Sequence, residues 1–450
     1  MSSPRLSLPG ISVSLWILKI KPIIIHFITT NDMKQRDLNT TKGSILMLVE
    51  NAYPEDTRIR NEATLLTSAG YAVFVVALTS KGCPRFEEVE GVKVYRAPLL
   101  ELFKKTASPN ARKLSLHFLK IVSFLGYLVE YFYFTAVCFI ICTYIFFRHG
   151  FDVIHAHNPP DTLFLVALPF KLVGKKFVFD HHDLCPELYQ SRYRASEGFY
   201  TKILGFLEWC SLKTANITIA TNESYKEIHV QRGRKPPDNV FIVRNGPNEN
   251  KMRIAPPSER LLNMDKKILC YIGALNPQDG LDYLLRSLDH LLHKMNRDDF
   301  YCVIMGSGDS LEDLRQLSKD LNLEGHVELP GYISEEELTA NLAAADICVD
   351  PDPSSPLNDL STWIKIMEYM AYGKPIVSFD LKESMYSARD AALWVPANNE
   401  VAFAEAIANL MDDPAARERM GRYARKRVDK DLQWSVVGQN LLLAYKKLLN

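Results

Sequence analysis

Asn358-Asp-Leu-Ser-Thr-Trp-Ile-Lys-Ile-Met-Glu-Tyr-Met-Ala-Tyr-Gly-Lys-Pro-Ile-Val377 contains one complete structural unit. A polar loop leads into a helix expected to start near Ser361, Gly373 stops the helix, and Ile376 opens a buried strand. Ser361 or Thr362 is expected to cap the helix, whose free amides and positive dipole end suit a diphosphate. Lys365 lies one turn in, where its ammonium could reach the same phosphates. Glu368 follows at i+3 on the same face, and a carboxylate there can accept hydrogen bonds from both hydroxyls of a ribose. Taken alone, the two residues fit a solvated helix pair equally well, so the surrounding chain has to decide.

Outward from this stretch, short β-branched runs alternate with helical segments. Upstream strands are predicted at Ile268–Ile272, Tyr301–Met305, Val327–Leu329 and Ile347–Val349, with Ile376–Ser378 closing the series. The same grammar occupies the first half, with strands at Ile45–Glu50, Ala72–Leu78, Val92–Arg96, Val153–His157, Phe177–Asp180, Ile217–Ala220 and Val240–Val243. Near-continuous apolar strands separated by helix-length connections indicate parallel sheets covered on both faces. Asn245-Gly-Pro-Asn248 and the polar stretch to Asp265 read as a linker. The expected class is therefore α/β, with two doubly wound halves and ligands at the carboxyl ends of the strands. The expected boundaries are an N-terminal extension at 1–43, a first domain at 44–248, a second at 249–428, and a helix at 429–450 that crosses back to the first.

Composition narrows the function. Lys plus Arg and Asp plus Glu both number 53, so no global basic field speaks for nucleic acid. The 8 cysteines are scattered without a Cys-x-x-Cys pair, which reads as reduced core thiols in a cytoplasmic protein. In the extension, Ile11–Thr29 is interrupted by Lys19 and Lys21 and makes a poor signal peptide; Met33 is a candidate natural start. Tyr131–Phe147 carries no charged residue, close to the ~20 residues that span a bilayer. A single crossing would put strands of one sheet on opposite sides of a membrane. The expectation is a helix at about 114–148 lying in the interface, with Lys104, Lys105, Arg112, Lys113 and Lys120 facing anionic headgroups. An ordinary buried helix is the alternative.

The run Lys365-Ile-Met-Glu-Tyr-Met-Ala-Tyr-Gly-Lys-Pro-Ile-Val377 resembles the donor-site helix of family-4 glycosyltransferases, which have the GT-B fold. Other segments are similar in the same order: Asp56-Thr-Arg-Ile-Arg-Asn-Glu-Ala63, Ala69-Gly-Tyr-Ala-Val73, Phe151-Asp-Val-Ile-His-Ala-His-Asn158 and Val243-Arg-Asn-Gly246. Tyr271-Ile-Gly-Ala-Leu275, Gly280-Leu-Asp-Tyr-Leu284, Ile304-Met-Gly-Ser-Gly308 and Leu329-Pro-Gly-Tyr-Ile333 complete the series. The resemblance covers residues 44–450. It implies transfer of a sugar from a nucleotide diphosphate donor, usually with retention at the anomeric carbon; no cofactor beyond this co-substrate is expected. It assigns Glu368 to the donor ribose and Lys365 with nearby amides to the diphosphate. Backbone groups of Gly331, Tyr332 and Ile333 would meet the base, and Gly273 would let the backbone approach the phosphates. Asn245 would lie at the cleft floor and His157 near the transferred sugar. His155 is expected to point to the opposite side of its strand.

Two departures stand out. Leu360 occupies a position where many members carry a carboxylate, leaving the adjacent Asp359 as a substitute. Ala274 and Asp279 replace the usual basic residues, so phosphate charge would fall to Lys365, helix amides, Arg58 or Arg244; Arg58 and Arg60 equally suit an exposed helix face. His181-His-Asp-Leu-Cys-Pro-Glu187 follows a strand end, where Asp183 or Glu187 could bind an acceptor. Adjacent histidines rarely aim at one ion, and Asp350-Pro-Asp352 reads as a loop, so no metal site is expected. The expected activity is extension of a lipid-linked or other envelope glycan by a cytoplasmic enzyme peripheral to the membrane. A GT-B sugar-nucleotide epimerase and a non-catalytic membrane scaffold are the alternatives.

Overall fold

The computed structural model describes residues 42–80, 82–99, 116–193, 198–247 and 255–450. Residues 1–41 with Met33, the basic residues 104–113, and the beginning of the linker after Pro247 lie outside the described residues, as does the side chain of Lys120. Two compact units are present. One comprises the chain up to Asp180 together with Thr214–Asn216, and the other comprises His181–Lys213 and Ile217–Asn450.

In the first unit the strands are β1 (Ser44–Ala52), β2 (Ala72–Leu78), β3 (Phe86–Val89), β4 (Val92–Ala97), β5 (Val153–His157) and β6 (Lys176–His181), in the order β3-β4-β2-β1-β5-β6. Central β1 is parallel to both neighbours, with Ile45 opposite Val73 on one side and Val153 on the other. Ile45 through Leu48 are completely buried, which explains an apolar run without alternation: helices cover both faces. β3 was not expected. It turns back onto β4 through Glu90 and Gly91, both at positive φ, forming the sheet's antiparallel edge. A two-residue turn ending in glycine flanked by strand-forming residues is a hairpin signal in the sequence.

The helix Leu116–Arg148 packs against β1 and β4. Its stripe of Val137, Cys138, Ile141, Cys142 and Ile145 is buried, whereas Phe132, Phe139 and Phe147 on the outer face are exposed, Phe147 by 82%. Leu128–Arg148 is long and apolar enough to cross a membrane by length and composition. With one face committed to the sheet, the helix presents only its outer stripe. The neighbouring helix Phe164–Leu172 adds exposed Leu165, Leu168 and Leu172.

In the second unit β7 (Ile217–Ala220) runs parallel to β8 (Val240–Ile242). A further sheet contains β9 (Lys267–Ile272), β10 (Phe300–Met305), β11 (Val327–Gly331), β12 (Ile347–Asp350), β13 (Ile376–Phe379) and β14 (Ala392–Val395), in the order β11-β10-β9-β12-β13-β14 and parallel throughout. Strand alternation divides its core. Leu269 and Tyr271 join Leu284, Leu288, Phe300 and Phe403 on one face, while Ile268 and Cys270 join Val303, Ile366, Tyr369 and Met370 on the other. At about 1.5–3 kcal/mol per large apolar side chain fully removed from water, both faces contribute. The strand order reverses between β9 and β12, so the chain leaves the sheet at Gly273 and Pro351 beside the switch point, where such folds bind ligands.

Candidate functional site

At this switch point the second unit assembles the elements singled out in the sequence. Gly273, at φ 148°, follows β9; a Cβ there would lie 2.9 Å from the Tyr271 hydroxyl. The next turn is equally tight: a Cβ on Gly280, at φ 65°, would lie 2.1 Å from the Pro351 carbonyl oxygen. The loops after β9 and β12 are thus pressed together, and only glycine allows it.

The helix bearing Lys365 and Glu368 starts later than its sequence suggests. It spans Ile364–Ala371, its N-cap is Trp363, and no side chain caps it. Ser361 and Thr362 are therefore not cap residues. The Ser361 hydroxyl donates to the Leu357 carbonyl at 2.8 Å, and the Thr362 hydroxyl accepts from Asn222 at 2.9 Å. The loop ahead of the helix is tied down instead by Asn358, which donates to the Gln278 and Pro353 carbonyls. These tertiary bonds are invisible to a local capping rule.

Lys365 is buried, and its ammonium lies 2.6 Å from Asp352, 3.3 Å from Asp350 and 3.4 Å from the Tyr271 hydroxyl. It also sits over the rings of Tyr271 and Trp363, at 4.9 and 5.2 Å. Burial by itself would lower its pKa, but the Coulombic attraction of Asp352, Tyr271 and Asp350 prevails and moves it well above the ordinary lysine value. Burial, reinforced by Asp350, pushes Asp352 well above the carboxylate range against the pull of Lys365. Asp350 ends β12, Pro351 and Asp352 form the loop that follows, as expected, and both carboxylates hold the lysine.

Glu368, on the same helix, is half-buried, and burial raises its pKa. Its carboxylate forms no hydrogen bond or ion pair among the described residues. Gly331 ends β11 at φ 82°, Tyr332 beyond it is 85% exposed, and Ile333 packs on the core. Asn245 is half-buried. Asp279, where a cation was expected, accepts from the Asn276 backbone amide and completes a capping box. Leu360 packs against the cluster of Leu184, Tyr225, Ile228 and Leu357, and Asp359 accepts from the Ser354 hydroxyl.

The first unit holds a second constellation. His157 lies at the end of β5, with Nδ1 3.4 Å from Asp180; His155 lies 3.6 Å from the same carboxylate. Their rings stack at 4.2 Å, so His155 does not point away from His157. Residues two apart on a strand share a face. Arg58 is buried rather than exposed and forks onto Asp180 from Nη2 at 2.9 and 3.0 Å, while Nε lies 3.1 Å from Glu62. Arg60 does face out and pairs with Glu90. The ligand atoms of Glu62, His155, His157 and Asp180 lie within 4.8 Å of one another, a spacing that could hold a metal ion. However, Arg58 already engages both carboxylates, and a divalent cation would add buried positive charge beside it. The set fits an ion-pair network better than a metal centre. Glu62 and Asp180 went unnoticed in the sequence, although Arg58 and Glu62 stand at i,i+4.

His181, at the end of β6, lies 2.9 Å from His229, and burial, then His229, pushes its pKa well below the ordinary value. Glu187 pairs with Arg232, which also engages Glu208, so this carboxylate is already occupied. Asp183 is half-buried near Tyr225.

Two family models match in tandem: "Glycosyltransferase Family 4" over residues 56–251 and "Glycosyl transferases group 1" over residues 255–427. An uncharacterized glycosyltransferase of Methanocaldococcus jannaschii is 25% identical over 310 residues, covering 66% of this chain and 75% of that one. The chain spans only about half the length of other curated relatives it matches. In fold it is similar to a sucrose-phosphate synthase from Thermosynechococcus elongatus (TM-score 0.69, 19% identity, 90% of this chain and 99% of that one). It is also similar to the Anabaena protein HepE in complex with UDP and glucose (TM-score 0.64, 14% identity, 90% and 100%). With parallel sheets in both units, the ordered motifs and both family models in agreement, the chain belongs to the family-4 glycosyltransferases and has the α/β GT-B fold.

Proposed function

We propose that this glycosyltransferase takes its sugar from a nucleoside diphosphate donor, without a metal ion and with retention at the anomeric carbon, and passes it to a lipid-linked or other envelope glycan. The observation that carries the reading is Glu368, a half-buried carboxylate without a hydrogen-bond or ion-pair partner among the described residues, three residues beyond Lys365 at the switch point of a parallel sheet. A half-buried acceptor of this kind is open to a ligand's donors, and paired ribose hydroxyls match it. Gly273 and the Gly331–Ile333 backbone supply close approach for phosphates and base, with Ser361, Thr362 and Asn245 in the adjoining loops. His157 and Asp183 are assigned to the sugar and acceptor. In this reading residues 44–248 form the acceptor side, 249–428 the donor side, and 429–450 a returning helix.

In the transfer itself, the protein positions the acceptor hydroxyl and stabilises charge on the leaving diphosphate. Lys365 supplies that charge once phosphate oxygens compete with Asp350 and Asp352 for its ammonium. A thermal-shift and titration screen against UDP, GDP and ADP, with and without chelator, tests this. One nucleotide should bind independently of metal, and Glu368→Ala should weaken it about 10–100-fold with the fold intact. Unchanged affinity would remove Glu368 from the site. Absence of binding by any nucleotide would favour a non-catalytic scaffold, to which the occupied Lys365 and apolar Leu360 lend support.

We place the enzyme in the cytoplasm at the membrane surface. Phe132, Phe139, Phe147, Leu165, Leu168 and Leu172 give the first unit an exposed apolar face suited to the lipid boundary. Co-sedimentation with anionic vesicles should fall several-fold when Lys104, Lys105, Arg112 and Lys113 are replaced by glutamine. Undiminished binding would refute their role.

A further inference from the structure

We propose that the second unit carries a separate anion site, centred on Tyr386 and Arg389, that takes a small phosphate-bearing molecule. A cavity of about 900 Å³ lies between β8, the turn at Arg389 and the segment from Arg427 to Leu443. Three guanidinium groups converge on one ring there: Arg244, Arg389 and Arg427 lie 4.1, 5.4 and 5.8 Å from the centre of Tyr386. Arg244 is neutralised by Glu383 at 3.2 Å, and Arg427 by Asp431 at 3.2 Å with two backbone carbonyls. Arg389 and Lys226, which also line the cavity, form no ion pair among the described residues.

Two independent features single out Arg389. Its backbone sits at φ 48° and ψ −121°, which side chains with a Cβ rarely adopt, and its carbonyl is pinned by the Trp394 indole N–H at 3.1 Å. Such strain persists only where the surroundings enforce it, and it is concentrated at binding and switch sites. In addition, burial and then repulsion from Arg389 push the Arg427 pKa below the ordinary arginine value. Asp431 pairs with Arg427 only, among the described residues, and a phosphate would add forked hydrogen bonds to Arg389.

Glu223, Asp238 and Asp431 also line the cavity, so with Glu383 on Arg244 the formal charges balance; Arg389 and Lys226 are the lining cations outside any ion pair among the described residues. Phe241, Val436 and Leu443 line part of the cavity and favour an anion with an apolar body over a bare ion. Neither Lys365 nor Glu368 lines this cavity; Arg244, which does, was also a candidate for the donor phosphates and is held by Glu383.

Titration calorimetry with inorganic phosphate and with phenyl phosphate tests the site in the intact chain at constant ionic strength. Phenyl phosphate should bind more tightly than inorganic phosphate. Arg389→Ala should weaken it at least tenfold, Arg389→Lys should restore part of the loss, and Glu368→Ala should leave it unchanged. Equal binding by wild type and Arg389→Ala would overturn the proposal, as would loss of binding in Glu368→Ala, which would place the anion in the donor site. Failure of the donor reading alone would leave these results intact. Circular dichroism and an unchanged thermal unfolding transition identify variants that have kept their fold.

Discussion

Each unit buries one cation between two carboxylates, and the two arrangements differ in what they leave available. In the first, the Arg58 guanidinium forks onto Asp180 and also reaches Glu62, beside two stacked imidazoles. In the second, the Lys365 ammonium sits among Asp350, Asp352 and the Tyr271 hydroxyl, one helical turn before Glu368, which forms no ion pair among the described residues. A guanidinium fork fixes geometry through parallel bonds, whereas an ammonium is a point charge that can be shared or exchanged. The arginine cluster is suited to holding His157 in place. The lysine cluster is suited to giving up part of its charge to an incoming phosphate.

The comparison breaks most visibly when each cation is removed. Arg58→Ala leaves Glu62 and Asp180 buried without their partner and should cost about 3–5 kcal/mol in urea unfolding. Arg58→Lys should recover only part of that, because it lacks the fork. Lys365→Met should cost less, about 1–3 kcal/mol, because methionine keeps the unbranched apolar stem and a single ammonium is lost in place of a forked guanidinium. An equal or greater cost at Lys365 would mean that the ammonium is as firmly structural as Arg58, and its proposed phosphate role would fall.

A smaller effect sharpens the first cluster. Burial, then Asp180, raises the Glu62 pKa well above the ordinary value. The native state therefore binds a proton that the unfolded state has released. That contribution is complete below the unfolded value of about 4.3 and fades as pH rises through the native one. Glu62→Gln should flatten this decline in denaturation curves taken on the acid side of neutrality. An unchanged slope would show that the proton resides elsewhere in the cluster.

The regions also differed in how legible they were. Most strands could be read directly because they are buried on both faces and therefore apolar throughout, as Ile45–Leu48 and Ile268–Ile272 are. The hairpin strand Phe86–Val89 was missed because its edge position leaves it polar. Lys365 and Glu368 were found through their spacing on one helix, a local property. Asp350 and Asp352 were passed over because their meaning depends on a lysine more than ten residues away in sequence. His155 was misplaced by a misapplied alternation, and the ring stacking at 4.2 Å corrects it.

The sequence by itself determined the α/β class, the parallel strands, the glycosyltransferase family and the helix bearing Lys365 and Glu368. Each of these is written in local periodicity or in short contiguous motifs, where neighbouring residues supply the physical constraint. Only the tertiary structure decided that Arg58 is buried, that Lys365 is already paired, that Ser361 and Thr362 serve a loop and not a cap, and that three arginines gather on Tyr386. Those outcomes depend on charges brought together across the fold, and the energy of a buried charge is set by its partners in space.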